Sequence, residues 1–136
     1  MLQTKELLDS VTTVGPLGHE EVLARAVDVL GECEEAVTAC AAGMIAAQDA
    51  DELRTAIGQN LDCADVAVAT RRVLTRGSTP DPALLTAQVE ACLIACERSR
   101  DLCGRHAARH EHCRICAEVT GRAADVCRDV LAAARS

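Results

Sequence analysis

Between Val89 and Cys127 the chain carries Cys92, Cys96, Cys103, Cys113, Cys116 and Cys127, with His106, His110 and His112 between the two halves. Cys33, Cys40 and Cys63 lie upstream, which makes nine thiols in 136 residues. Thiolates and imidazoles select Cu(I), Zn(II) or iron–sulfur units, whereas Mg, Ca and Mn prefer oxygen. The spacings of three and four place the thiols on one stripe of each of several helices, with the imidazoles where two stripes meet. The chemistry these residues point to is soft-metal binding.

The elements that must hold these stripes are helical. There is no Phe, Tyr or Trp, so a core has to be built from Ala, Val, Leu and Cys. Thin side chains suit closely packed helices, and Ala and Leu lead the helix-propensity ranking. A short helix within residues 2–12, with Leu2, Leu7, Leu8 and Val11 as its apolar side, ends at Gly15, Pro16 and Gly18. Long helices are expected over about Leu17–Ala47, Ala50–Thr75, Pro82–Arg105 and Arg109–Ala134. The first presents Val22, Ala26, Val29, Cys33, Val37, Cys40 and Met44, and Gly31 and Gly43 permit close backbone approach. The second presents Leu53, Ile57, Asn60, Cys63, Ala67 and Val73, with Asp49 or Asp51 at its start, where acidic residues suit the helix dipole. The segment Arg76–Pro82 is the clearest break, with Gly77 suited to a helix end, Asp81 to an N-cap and Pro82 to a first helical turn. Short connections make successive helices antiparallel. The expected fold is all-α: an up-down-up-down four-helix bundle over 17–134 with an N-terminal arm over 1–16, forming one domain across 1–136.

Antiparallel topology assigns depths at roughly 1.5 Å per residue. With the turn between the last two helices as the top, Cys103, Cys113 and Met44 are expected first. Cys40, Cys96 and Cys116 form a second layer and Cys33, Cys63 and Cys92 a third, with Cys127 deeper. Cu(I) accepts two or three thiolates and tolerates bridging sulfur, so such a column suits polynuclear clusters; zinc prefers separate tetrahedral sites of four N or S ligands. His106, His110 and His112 at the open end, beside Cys113 and Met44, would pass the ion inward. His19 lies away from the cluster and is expected at the surface or in a cap.

Other chemistries fit less well. Cys113 and Cys116 make one C-x-x-C without the second that a zinc ribbon requires and without the βαβ pattern of a thioredoxin site. Di-iron bundles need Glu-x-x-His pairs, and the sequence has none. No group that would orient a Cys–His pair is evident, so the chain is not expected to be an enzyme. The net charge of −7 comes with both signs interspersed, which argues against a nucleic-acid partner. No apolar run reaches the ~20 residues needed to cross a bilayer, and MLQTKELLDS does not read as a secretory signal. A cytoplasmic location is expected, where thiols stay reduced. Alternatives to copper are a Zn(II)-binding bundle or an interaction bundle with incidental core cysteines.

The sequence resembles the bacterial cytosolic copper storage proteins. The most specific stretch is His110-Glu-His112-Cys113-Arg-Ile-Cys116-Ala-Glu with His106 upstream, supported by GECEEAVTAC, LDCADVAVATRRVL and EACLIACERSRDLC, from His19 to the C-terminus. The resemblance implies a homotetramer of bundles storing multiple Cu(I) ions on core thiolates, with the histidines at the mouth. Family members carry more cysteines; here Val22, Ala26, Val37, Thr120 and Ala124 hold stripe positions. That departure implies a reduced capacity, or a Cys-depleted variant, with thiols mainly in the upper half. At about one Cu(I) per thiolate the load is roughly nine ions or fewer.

Overall fold

The computed structural model describes residues 3–11, 20–77 and 81–135. Leu2, the Gly15–Pro16–Gly18 break, the helix start at Leu17, His19 and residues 78–80 lie outside the described residues. A short helix, α1 (Thr4–Val11), precedes four long ones: α2 (Glu20–Ala46), α3 (Arg54–Thr75), α4 (Pro82–His106) and α5 (Glu111–Arg135). A 3-10 turn over Ala50–Leu53 leads into α3. The expected antiparallel bundle is observed, with each long helix packed on two neighbours in the ring order α2–α3–α4–α5. No described helix is long and apolar enough to cross a membrane.

The ends follow local chemistry. Gly77 has φ 77°, a conformation open to glycine at little cost, and its N–H reaches the Leu74 carbonyl at 3.0 Å to close α3. Asp81 caps α4, its Oδ1 accepting from the backbone N–H groups of Ala83 (3.1 Å) and Leu84 (3.2 Å), with Pro82 in the first turn. The α4–α5 turn is tight. The His106 carbonyl accepts from the N–H groups of Arg109 and His110, and the His110 carbonyl from those of Cys113 and Arg114. α5 therefore starts at Glu111 rather than Arg109.

The core is a column of small side chains along the bundle axis. Leu30, Leu74, Val89 and Val130 fill the end opposite the α4–α5 turn, each at most 1% exposed. Leu8 of α1 is fully buried in the same core, whereas Val11, expected on the apolar side, is 51% exposed. The buried face of α3 also differs from expectation. It runs through Ala56, Asn60, Cys63, Ala67, Thr70 and Leu74, leaving Ile57 and Val73 only partly buried. Steps of three and four from Cys63 reach Thr70 and Leu74, and a neighbour that is polar obscured that face in the sequence. Val22, likewise expected inward on α2, is partly buried.

The apolar end carries stability while the sulfur column lies above it. Leu30→Ala is expected to destabilise the metal-free bundle by about 2–5 kcal/mol in denaturant unfolding and to leave copper stoichiometry unchanged.

Candidate metal centre

All nine cysteines are free and buried. Their sulfurs form compact groups. Cys33 of α2, Cys63 of α3 and Cys96 of α4 place their Sγ atoms at the corners of a triangle with all three sides 4.0 Å. The centre of such a triangle is about 2.3 Å from each corner, which is a metal–thiolate bond length. Cys40, Cys103 and Cys116 make a second group of three, with Cys103 and Cys116 Sγ 3.4 Å apart. Cys40, Cys113 and His112 make a third. There His112 Nδ1 lies 3.4 Å from Cys40 Sγ and 3.6 Å from Cys113 Sγ, and the two sulfurs are 3.8 Å apart. Cys40 belongs to both upper groups. Cys92 and Cys127 lie below the first triangle and act on each other's ionisation.

These groupings correct the expected layers. Cys96 joins Cys33 and Cys63 rather than Cys40 and Cys116, Cys103 takes its place, and Cys127 is paired rather than isolated. The polarity of the helix explains the change. Every Cα–Cβ bond tilts toward its own helix N-terminus. Side chains of α2 and α4 therefore lean away from the α4–α5 turn, and those of α3 and α5 lean toward it. The sulfurs of α4 sink, bringing Cys103 to Cys116 and Cys96 to Cys63, while Cys127 rises to meet Cys92. Thiols consequently extend well below the upper half of the column.

Of the three histidines expected at the mouth, one touches thiols. His112 is held over Cys40 and Cys113. His110 lies behind it, with ring centroids 5.2 Å apart and Nε2 3.0 Å from Asp49 Oδ2. His106 turns to Arg109, whose guanidinium lies 3.3 Å from its Nδ1. Asp49 makes no side-chain cap at the start of the 3-10 turn; it tethers His110 instead, and that hydrogen bond holds its carboxyl below the usual range. A cavity of about 540 Å³ at this end is lined by Gly43, Asp49, Arg109, His110 and His112, among others. Met44 is fully buried one turn above Cys40.

Two residues beside the sulfurs carried no signal of this role in the sequence. The side-chain amide of Asn60, fully buried, donates to Cys103 Sγ at 3.4 Å and to Cys116 Sγ at 3.7 Å. Gly43 does not serve backbone approach. A Cβ there would meet the His112 ring at 3.0 Å, and one on Gly31 the Arg71 side chain at 3.6 Å. Each is a seat for a neighbouring side chain.

Close sulfurs shift one another's ionisation in opposite senses. Cys33, then Cys96, lowers Cys63; Cys116, then Cys40, lowers Cys103; and Cys127, then Cys96, lowers Cys92. Their neighbours hold their protons. Cys33 is raised chiefly by Cys63, Cys40 and Cys116 by Cys103, Cys96 by Cys127, and Cys127 by Cys92. Burial raises Cys113.

A helical bundle whose axis is lined with trigonal sets of soft donors defines a class, the thiol-lined metal-binding bundles. The family model described as "Copper storage protein" matches residues 19–132, and the chain belongs to that family. Solved structures agree. The chain is similar to the copper storage protein Ccsp from Streptomyces lividans loaded with 10 copper equivalents: 34% identity over 96% of this chain and 99% of that chain, TM-score 0.91. It also matches a cytosolic copper storage protein from Streptomyces lividans described with five coppers, at 38% identity over 82% of this chain and 93% of that chain, TM-score 0.80. A histidine-to-alanine mutant of the Streptomyces lividans Ccsp matches at 36% identity over 84% and 95% of the two chains, TM-score 0.82. Comparison with curated proteins finds no match.

Two outcomes follow from this geometry. Gly43→Ala should leave the metal-free helix as stable or more stable, since alanine is the better helix former, yet displace His112. Anaerobic Cu(I) titration should show the first equivalents bound about tenfold more weakly. The second concerns pH. An unfolded thiol ionises near about 8.5. The six raised thiols resist ionisation, so their contribution to stability is complete below that value and is lost as pH rises above it. The contribution of the three lowered thiols is already complete there and supplies nothing further. Denaturant unfolding of the reduced, metal-free protein should therefore show stability falling from pH 8 to pH 10.

Proposed function

We propose that the chain stores Cu(I) on the nine cysteines of its core, with His112 completing the outermost site and His110, His106 and Met44 around the mouth. The observation that carries this reading is the 4.0 Å triangle of Cys33, Cys63 and Cys96. Three thiolates about 2.3 Å from a common centre satisfy Cu(I), whereas zinc wants a fourth donor. Each of the three groups offers three ligands, which favours copper over zinc at every one.

Uptake exchanges protons for metal. An ion arriving at Cys40, Cys113 and His112 displaces the proton of a raised thiol, as ligand deprotonation requires. Cys40 also belongs to the group with Cys103 and Cys116, so it can hold the ion while the outer ligands release it. Storage rather than catalysis is the role: the sulfurs face one another, and the histidines at the mouth serve uptake. The cytosol, where the second Streptomyces lividans relative is placed, keeps these thiols reduced. The bundle, a single domain over 1–136, works as a homo-oligomer, for which the tetramer implied by the family resemblance is the reading adopted. Neither membrane nor nucleic acid takes part.

An anaerobic Cu(I) titration against a competing chelator tests this. Saturation is expected at roughly nine ions or fewer per chain, with affinity far tighter than micromolar. Replacing Cys96, Cys103, Cys113 and Cys116 with Ser takes at least one ligand from each of the three groups and should remove roughly half of that capacity or more. Fewer than about two equivalents, or affinity of micromolar or weaker, would refute the storage reading.

A further inference from the structure

The sulfur groups do not form one continuous ladder. Between the upper and lower sets each long helix carries fully buried residues without a thiol: Val37 on α2, Asn60 on α3, Ser99 on α4, and Thr120, Ala123 and Ala124 on α5. Val37 stands midway between Cys33 and Cys40 and Ser99 midway between Cys96 and Cys103; Thr120 lies one turn below Cys116, and Asn60 one turn above Cys63. Cys33 to Cys40 and Cys96 to Cys103 are each seven residues apart, about 10 Å of helix rise. No group of three donors among the described residues combines an upper sulfur with a lower one.

The polar members of this ring are already engaged. Thr120 Oγ1 donates to the Cys116 carbonyl at 2.7 Å, and Ser99 Oγ to the Gln59 carbonyl at 3.4 Å. Asn60 is held by Cys103 and Cys116, and Val37 has no donor atom to offer. A soft ion crossing this level leaves thiolates behind and meets only carbon, amide and hydroxyl groups, which it binds poorly. Below the lower sulfurs the core is closed by Leu30, Leu74, Val89 and Val130. The lower thiols are therefore reached from above, through the ring.

We propose that this ring divides the stored copper into two pools. An outer pool on Cys40, Cys103, Cys113 and Cys116 with His112 exchanges with the surroundings, and an inner pool on Cys33, Cys63, Cys92, Cys96 and Cys127 fills last and is retained. The proposal rests on the storage reading and adds an order of uptake and release to it. Because clusters grow through shared sulfurs, the interruption separates them both structurally and kinetically.

The test is release from the fully loaded protein. Copper is added anaerobically to saturation, and excess bathocuproine disulfonate is mixed in while absorbance of the chelate is followed. Two phases are expected, the second roughly tenfold or more slower than the first. The triple variant Cys33→Ser, Cys63→Ser, Cys96→Ser should lose most of the slow amplitude and keep the fast one. Val37→Cys with Ser99→Cys places soft ligands in the ring and should accelerate the slow phase about fivefold or more. Ser99→Cys alone, nearly isosteric, should shift it in the same direction and stands in for the double variant if that variant loses its helical circular dichroism. Single-phase release from a fully loaded protein, or a slow phase unmoved by thiols in the ring, overturns the partition while leaving storage intact. Failure to take up copper before the chelator is added refutes storage, and the partition with it.

Discussion

Sulfur packed against sulfur in a dry core is the interaction on which the rest of this molecule depends. A protonated thiol behaves as a small apolar group with a weak donor. Nine of them can therefore fill the interior of a bundle that has no aromatic side chains and still leave it folded without metal. The same atoms at 3.4 to 4.0 Å spacing are close enough to share a metal ion once their protons leave. Packing and coordination thus make the same demand on geometry, and the apolar end around Leu30 and Val130 supplies the stability that slender thiols do not. Ion pairs between helices, such as Arg122–Glu32 at 3.4 Å, are exposed and contribute little.

Helix polarity decides which sulfurs share a group. In an antiparallel bundle, neighbouring helices tilt their side chains in opposite senses. A thiol on α4 and one on α5 can meet even though their Cα atoms differ in depth, as Cys103 and Cys116 do at 3.4 Å. Residue counting alone ignores this. It places Cys96 one layer too high and leaves Cys127 without a partner.

The helices, their order and the break between α3 and α4 were legible because they rest on local chemistry: the three-and-four spacing of the thiols, Gly77 at a positive φ, and Asp81 capping ahead of Pro82. The inward stripe of cysteines was legible for the same reason. What the sequence concealed was relational. Nothing in the local pattern distinguishes His112, which reaches Cys40, from His110, which is drawn away by an aspartate 61 residues distant. Gly43 reads as a helix-weakening residue until the imidazole opposite it is seen. Asn60 appears as a polar interruption of an apolar face, although its amide binds two sulfurs.

Charge explains why a monovalent ion suits this interior. Each thiolate created by proton loss carries one negative charge, and burying an uncompensated charge is costly. One Cu(I) per thiolate makes the fully loaded column neutral. One Zn(II) per thiolate would instead leave a positive charge for every ion, with no acidic side chain in the core to offset it: the buried polar and charged residues among those described are Asn60, Thr70, Ser99 and Thr120. Those four are neutral. A core built only from thiols and neutral groups can take up many ions provided each brings the single charge that the departing proton had.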